Sequence, residues 1–179
     1  FNKLSDFNKK KLKLIKKKYS KIFTTSKATD IINDESIQCI SIASFDQYHY
    51  KHCIESLKNN KHIFVEKPLS LKINDLKKIE EISKRKKLVV NTNVIMRKYP
   101  RVGFIKKVCN KKNFGKIYYI EANYLYGRLH KITDGWRANE PYYSVILGGG
   151  IHMIDLIDYL FNYKAKSIFS MGNNIVTKK

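Results

Sequence analysis

Long apolar runs are missing from this sequence. No stretch approaches the roughly 18 apolar residues of a membrane-spanning helix, and the first residues carry no signal-peptide core. We therefore expect a soluble, cytoplasmic protein with no membrane partner. Hydrophobic residues still make up 43% of the 179 residues, which is enough for a sizeable core.

Cysteine is scarce as well. Cys39, Cys53 and Cys109 show no C-x-x-C spacing, so neither a disulfide framework nor a zinc site is expected. His49 and His52 lie close to Cys53 in the sequence, but no carboxylate completes a ligand set on one helix face. The sequence therefore predicts reduced thiols and no metal.

Arginine is rare for so basic a chain. The formal net charge is +21, yet only five of the 36 Lys and Arg residues are arginine. A basic surface can attract nucleic acid by releasing counterions. The lysines are, however, scattered over predicted helix faces, as in residues 9–18, without the aromatic spacing of a base-stacking module. We expect solvated lysine faces and no nucleic-acid partner.

A short apolar run that ends in a charged pair and a proline organises the first half of the chain. Residues 63–65 (Ile-Phe-Val) are β-branched or aromatic, which predicts a strand buried on both faces. Glu66 and Lys67 follow at its carboxyl end. Pro68 disfavours helical geometry at the preceding residue, so we expect the lysine at the rim of a sheet.

The same layout recurs on both sides of this run. Apolar runs at 37–43 and 88–90 predict two more strands, and helical patterns at 47–59 and 73–86 lie between the strands. Strands joined by helices pair in parallel, and ligands bind outside the carboxyl ends of such sheets. Polar residues at 44–46, 66–67 and 91–93 are therefore expected on one rim.

The beginning of the pattern is incomplete. Residues 1–5 predict the end of a strand and residues 8–20 a helix, but no Gly-x-Gly-x-x-Gly phosphate loop precedes them. Asp6 lies where a carboxylate commonly accepts ribose hydroxyls of a dinucleotide, although aspartate is equally a favoured helix N-cap. The chain begins with Phe1 and stops just after a strand-like run, so we expect a fragment without the first strand and phosphate loop.

The architecture changes near residue 95. The sequence predicts a helix over 100–109 and a long strand over 116–126 with no wholly polar face. Irregular residues 127–143 precede three glycines at 148–150, which are predicted to open an apolar helix. Glycines at a helix start expose N–H groups to an anion, although tight helix packing explains them as well. We predict domains over 1–95 and 96–179.

Taken together, these motifs resemble the glucose-fructose oxidoreductase / inositol dehydrogenase (Gfo/Idh/MocA) family. The matching features are Ser41-Ile42-Ala43-Ser44 with His49, residues 61–68, Asn91-Thr92-Asn93 with Arg97, Gly115-Lys116-Ile117, Gly135-Trp136-Arg137 and residues 148–155. Their order and spacing cover nearly the whole chain. The resemblance implies an α/β class: a partial Rossmann-like parallel sheet that binds NAD(P) over 1–95, then the start of an α+β substrate domain with an open mixed sheet.

The resemblance also implies hydride transfer between a nicotinamide and a carbinol carbon of a sugar, nucleotide-sugar or cyclitol. Lys67 would hydrogen-bond the reacting hydroxyl, and His152 would exchange its proton as general acid and base. Expected at the cofactor are Asp6, Ser44, Phe45, His49, Glu66, Lys67, Pro68 and Asn93; expected at the substrate are Lys67, Arg97, Tyr126, Trp136, Arg137 and His152. NAD is favoured over NADP because Asp6 would repel a 2′-phosphate. Homo-oligomers through the substrate-domain sheet are implied as well.

One position departs from the family pattern. Dehydrogenases of this family commonly carry Asp four residues before the histidine, and Gly148 stands there. The missing carboxylate removes an acceptor for a substrate hydroxyl. Either another group such as Tyr142, Tyr143 or Tyr126 substitutes for it, or this branch handles a different substrate, or it has lost activity and is a non-catalytic, dinucleotide-binding or regulatory member of the same fold.

Overall fold

Strands and helices alternate along the first half of the chain. A computed structural model describes residues 2–111, 114–141, 143–173 and 175, and the chain divides into two units, Phe1–Asn93 and Val94–Lys179. The elements of the first unit are β1 (Lys3–Ser5), α1 (Lys9–Lys18), β2 (Phe23–Thr25), α2 (Thr29–Ile32), β3 (Cys39–Ile42), α3 (Asp46–Lys58), β4 (His62–Val65), α4 (Ile73–Lys86) and β5 (Val90–Thr92). This alternation confirms the predicted α/β class.

All the strand pairs described in this unit are parallel. β1 pairs with β2, while β4 lies between β3 and β5 in a three-stranded sheet. The last residue of β4, Val65, is opposite Ile42 on one side and Thr92 on the other. Because parallel strands end at the same edge, the residues that follow β3, β4 and β5 share one rim.

The core of the first unit lies on one face of the three-stranded sheet. Ile63 and Val65 of β4 are 2% and 0% exposed, and they pack with Leu57 of α3 and Ile79 of α4. The intervening Phe64 is 38% exposed. The prediction that β4 is buried on both faces is therefore wrong within the described residues, because α3 and α4 cover the same face of the sheet, as successive right-handed crossovers do.

Leu57→Ala tests this core assignment. The side chain is fully buried in the cluster, so the substitution removes apolar contacts and leaves a cavity. We expect the free energy of unfolding of the intact protein to fall by about 2–5 kcal/mol in urea denaturation. Leu14→Ala is the control: this leucine of α1 is 68% exposed, so its loss should stay within about 0.5 kcal/mol. Equal losses would contradict the assignment.

Strands β2 and β5 differ most from the sequence predictions. β2 was not predicted, because Phe23-Thr24-Thr25 is too short to show a period and forms a strand only by pairing with β1. β5 was predicted over 88–90, but it runs over Val90–Thr92. Asn91 and Thr92 therefore lie within the strand, where they pair with β4, and only Asn93 follows it.

The second unit is helical among its described residues. A 3₁₀ turn at Ile95–Lys98 precedes α5 (Pro100–Cys109), and α6 (His130–Thr133) is followed by a 3₁₀ turn at Trp136–Asn139. The strand predicted over 116–126 does not form: this segment pairs with no strand in the described part of the chain, and Tyr118 and Leu125 are almost fully exposed. A strand needs a partner for its backbone hydrogen bonds. The mixed sheet implied for this unit stays a prediction.

The three glycines lie inside a helix and do not open one. A π-helical segment, Ile146–Gly150, continues directly into α7 (Ile151–Phe161). The Gly148 N–H donates to the Ser144 carbonyl at 3.0 Å, which contradicts the alternative of an anion site there and favours the helix-packing alternative. Gly149 is required for close packing, since a Cβ there would overlap the ring of Tyr124. Across the described ranges, no helix combines the length and apolar character that crossing a bilayer requires.

Candidate functional site

The Lys67 turn follows β4 at the rim of the three-stranded sheet. We use this name for Glu66, Lys67 and Pro68. Lys67 is half-buried, Pro68 is buried, and the peptide bond between them is cis. The Lys67 backbone N–H donates to Oε2 of Glu66 at 3.3 Å. The predicted position of the lysine, at the carboxyl end of a parallel strand, agrees with the structure.

The end of β5 holds one side of this turn. Nδ2 of Asn93 donates to Oε1 of Glu66 at 2.7 Å, and the Asn93 backbone N–H donates to the Val65 carbonyl at 2.8 Å. Two residues expected at the cofactor, Glu66 and Asn93, therefore contact each other at the rim. Their contact with a cofactor stays a prediction.

Helix α3 holds the other side of the turn. His49 is fully buried; its Nδ1 lies 2.6 Å from the Pro68 carbonyl oxygen and its Nε2 lies 3.0 Å from the Ser44 carbonyl oxygen. The ring thus lies beneath the rim and away from solvent, although it was expected to line the cofactor. The carbonyl groups of Ser44 and Pro68, two further residues predicted at the cofactor, both contact this histidine.

His52 also lies near the rim, although it was not among the residues predicted at the cofactor. Its Nδ1 lies 3.1 Å from Oγ of Ser44, and its ring stacks on Tyr48 with centroids 6.2 Å apart. Burial lowers the pKa of His52, while the carboxylate of Glu55 acts in the opposite direction. The sequence feature that could have indicated this position is the spacing of three residues between His49 and His52 on one helix.

Asp6 follows β1, and the structure excludes one of its two proposed roles, that of helix N-cap. Asn8 is the N-cap of α1, because its side chain accepts the N–H groups of Lys10 and Lys11. The alternative that Asp6 caps this helix is therefore wrong. One carboxylate oxygen of Asp6 accepts the Asn8 N–H at 2.8 Å, and a carboxylate retains further acceptor sites for ligand hydroxyls.

Phe7, the residue after Asp6, meets a second aromatic ring. Phe7, which is 72% exposed, meets Phe45 edge to face with centroids 5.6 Å apart. Phe45 directly follows Ser44, so the ring belongs to the same loop as the His52 contact. A carboxylate next to apolar rings in the chain suits the ribose hydroxyls and the base of an adenosine. These residues of the first unit therefore fit a dinucleotide.

His152 lies in the first turn of α7 in the second unit. Its ring centroid is 6.4 Å from that of Tyr124, and Tyr124 stacks on Tyr126 at 6.0 Å. The structure thus brings His152 and Tyr126, both expected at the substrate, to the two sides of one tyrosine. Gly149, which packs against the same tyrosine, fixes the distance between α7 and this ring.

Arg97 is held by α7 and does not point freely at a ligand. Its Nε donates to Oδ2 of Asp155 at 2.8 Å, and its Nη2 pairs with the other carboxylate oxygen. The hydrogen-bonded carboxylate of Asp155 raises the pKa of Arg97. The guanidinium also lies 5.1 Å from the ring centroid of Tyr159. Its contact with a substrate stays a prediction.

Trp136, Arg137 and Tyr143 form a second cluster in this unit. The Arg137 guanidinium lies 4.3 Å from the Trp136 ring centroid, and its Nε donates to the hydroxyl of Tyr143 at 3.0 Å. Tyr143 lies beside Gly148: a Cβ there would be 3.3 Å from the tyrosine hydroxyl. Tyr142, another candidate for replacing the family carboxylate, lies outside the described residues.

Metal ligands do not cluster in the part of the chain that the structure describes. No group of three or more His, Cys, Asp or Glu side chains in these ranges could hold one ion. The candidate residues form one set in each unit: the Lys67 turn with its two supports in the first, and the residues around His152 in the second.

Comparison with known proteins gives two family matches. Residues 2–94 match the model described as "Oxidoreductase family, NAD-binding Rossmann fold", and residues 103–179 match the model described as "GFO/IDH/MocA C-terminal domain". Together the two models cover most of the chain. They confirm the Rossmann-like fold and the nicotinamide dinucleotide class of cofactor.

Several curated relatives are dehydrogenases. The chain is 24% identical over 184 residues to myo-inositol 2-dehydrogenase of Thermotoga maritima, covering 98% of this chain and 52% of the relative. It is 27% identical over 147 residues to glucose-6-phosphate 3-dehydrogenase of Bacillus subtilis, covering 77% and 41%. The chain thus spans about half the length of these relatives or less.

Solved structures show the same fold. The apo scyllo-inositol dehydrogenase of Lactobacillus casei aligns with a TM-score of 0.74 at 18% identity, covering 90% of this chain and 47% of that one. The myo-inositol 2-dehydrogenase of Lactobacillus plantarum aligns with a TM-score of 0.74 at 19% identity, covering 89% and 48%. With both family models matched in chain order, the chain belongs to the Gfo/Idh/MocA oxidoreductase family.

Proposed function

We propose that this chain is part of an NAD(P)-dependent oxidoreductase that transfers a hydride between the cofactor and a carbinol carbon of a sugar, nucleotide-sugar or cyclitol. The observation that carries the proposal is the Lys67 turn, which presents a lysine at the carboxyl end of β4 and is held from both sides by hydrogen bonds. Relatives named inositol and glucose-6-phosphate dehydrogenases support the substrate class.

Residues of the first unit would hold the dinucleotide. When bound, the nicotinamide supplies the acceptor or donor of the hydride. Asp6 would accept hydrogen bonds from the adenosine ribose, and its charge would favour NAD by repelling a 2′-phosphate. The residues proposed to line the cofactor further along the rim are Ser44, Phe45, Glu66, Lys67, Pro68 and Asn93. His49 supports this surface from beneath.

Lys67 and His152 would have different roles at the substrate hydroxyl. The ammonium of Lys67 would donate a hydrogen bond to the oxygen and stabilise the negative charge that develops on it. His152 would take the hydroxyl proton during oxidation and return it during reduction, because a neutral imidazole accepts a proton near neutral pH. Tyr126, Trp136 and Arg97 are proposed as substrate contacts of the second unit.

Tyr143 is proposed to replace the carboxylate that many relatives carry at the position of Gly148. The tyrosine hydroxyl lies beside the glycine, which leaves it room, and Arg137 donates to its oxygen. A tyrosine hydroxyl can both accept and donate a hydrogen bond, so its chemistry suits contact with a substrate oxygen. A hydroxyl donor in place of a carboxylate acceptor also changes which substrate hydroxyls or carbonyls can be recognised.

Tyr143→Phe tests this role. The substitution keeps the ring that packs on Trp136 and removes only the hydroxyl. Because one hydrogen bond is lost, we expect the KM for the sugar to rise about tenfold and the KM for the cofactor to stay unchanged, in steady-state kinetics. Tyr118→Phe, at a 95% exposed ring, is the control. Unchanged sugar KM in Tyr143→Phe would contradict the proposal.

A second candidate function is dinucleotide binding without turnover, favoured by Gly148 in place of the family carboxylate. Titration of the intact protein with NADH and NADPH, followed by a panel of sugars and cyclitols, separates the two. Saturable binding with turnover of any panel member supports the oxidoreductase. Binding without turnover supports the second candidate, and no binding contradicts both.

A homo-oligomer is proposed as well. Residues 116–126 expose the large apolar side chains of Tyr118, Tyr119 and Leu125, and such exposed apolar surface commonly marks an interface. Light scattering of the intact protein measures the oligomeric state. A monomer at micromolar concentration would contradict this part of the proposal.

A further inference from the structure

His49 occupies an unusual chemical position beneath the rim. It is a fully buried titratable side chain in the first half of α3, and both of its ring nitrogens face oxygen atoms of the main chain. Nδ1 lies 2.6 Å from the Pro68 carbonyl, and Nε2 lies 3.0 Å from the Ser44 carbonyl. No hydroxyl or carboxylate takes part in either contact.

These two contacts make the same demand on the imidazole, and a neutral ring can meet only one of them. A carbonyl oxygen only accepts hydrogen bonds, so a ring nitrogen must carry a hydrogen to bond to it. A neutral imidazole has a hydrogen on only one of its two nitrogens. The contact with Pro68 is the shorter by 0.4 Å. The geometry therefore favours the hydrogen on Nδ1, directed at the Pro68 carbonyl.

The Pro68 carbonyl belongs to the residue directly after Lys67. On the other side of the turn, Glu66 is fixed by Asn93 and accepts the Lys67 backbone N–H. The main chain that carries Lys67 is thus anchored at the residue before it and the residue after it. The anchor after it is His49.

We propose that His49 is a positioning residue: its Nδ1–H, donated to the Pro68 carbonyl, fixes the main chain that presents Lys67 to the reacting hydroxyl. The inference rests on the proposed oxidoreductase function for its kinetic consequence. Because a displacement of about 1 Å at a reacting group can lower turnover by about a hundredfold, loss of this one bond should be visible in kcat.

Two substitutions separate the two contacts of the ring. In asparagine the amide nitrogen is as many bonds from Cα as Nδ1 of histidine, so His49→Asn can still donate to Pro68. In glutamine the amide nitrogen corresponds to Nε2, so His49→Gln can donate to Ser44 but not to Pro68. Both amides are uncharged and polar, and both remove the buried ring, which makes them a matched pair.

The kinetic expectation for the intact protein is asymmetric. His49→Gln should lower kcat about 30- to 100-fold, whereas His49→Asn should stay within about threefold of the wild type. The KM for the cofactor should change by less than about twofold in both variants, because the ring reaches Ser44 and Pro68 at their main-chain carbonyls and lies beneath the surface proposed for the cofactor. Thermal unfolding midpoints of the two variants, compared with each other, report the purely structural effect.

A purely structural role makes a different prediction. If His49 only fills the core, kcat should follow stability and the two variants should be equally active when equally stable. Equal kcat at equal stability would overturn the proposal. A lower kcat for His49→Asn than for His49→Gln would overturn it as well.

A spectroscopic measurement decides the question without turnover. In the wild-type protein labelled with ¹⁵N-histidine, NMR shows which nitrogen of His49 carries a hydrogen, and we expect Nδ1 to be protonated. An Nδ1 without a hydrogen would overturn the proposal. Because this measurement uses the wild-type protein, it does not depend on the folding of any variant. If the wild type shows no turnover on any sugar, the proposed function fails while this spectrum still tests the hydrogen bond.

Discussion

Lys67→Met should lower the kcat of the intact protein for sugar oxidation by about a thousandfold. The methionine retains most of the length of the side chain and loses the ammonium group. A hydrogen-bonding cation at the oxygen acts mainly in the transition state, where negative charge develops. The loss should therefore be seen in kcat more than in the KM for the sugar, and single-turnover measurements with NAD would show it directly.

Lys72→Met is the matched control for this experiment. Lys72 is exposed and immediately precedes α4, five residues after Lys67, so the same change of charge occurs outside the turn. We expect kcat within about twofold of the wild type. Equal activity of Lys67→Met and Lys72→Met would show that Lys67 has no role in the mechanism. It would also contradict the proposed function, which depends on that role.

His152→Asn is expected to have the second largest effect. Without a group that exchanges the hydroxyl proton, kcat should fall by about 10²- to 10⁴-fold. The pH–rate profile should also lose the limb that reports the titration of this base, because asparagine does not titrate. Rates of the intact protein measured from pH 5 to pH 9 check both parts of the expectation.

The control for this change is His130→Asn. His130 begins α6 and is exposed, so its loss should leave the rate and the shape of the profile unchanged. A His152→Asn variant that keeps the wild-type profile would show that the proton goes to another group. Tyr143 would then be the first residue to test, because its hydroxyl is already oriented by Arg137.

Elements with a strong local signal were predicted well. The apolar spacing of α4 predicted a helix over 73–86, and the structure has Ile73–Lys86. The run before Glu66 predicted β4, and Pro68 predicted that Lys67 leaves the strand without entering a helix. Periodicity and proline stereochemistry act within a few residues, so they can be read without knowing the rest of the fold.

Elements that depend on a distant partner were predicted poorly. β2 exists because three residues pair with β1, and β5 extends to Thr92 because its ladder with β4 continues that far. Gly149 lies inside a helix against Tyr124, 25 residues earlier in the chain, and nothing local distinguishes this arrangement from a helix start. The strand predicted over 116–126 lacks a partner in the described part of the chain.

The sequence by itself determined the fold class, the family resemblance and the position of Lys67 after a parallel strand, because these depend on patterns within short segments and on their order. Only the tertiary structure decided that His49 lies beneath the rim and that Asn93 holds Glu66. Those arrangements are hydrogen bonds between residues far apart in the chain. Several acceptors were open to each donor, and packing selected one of them.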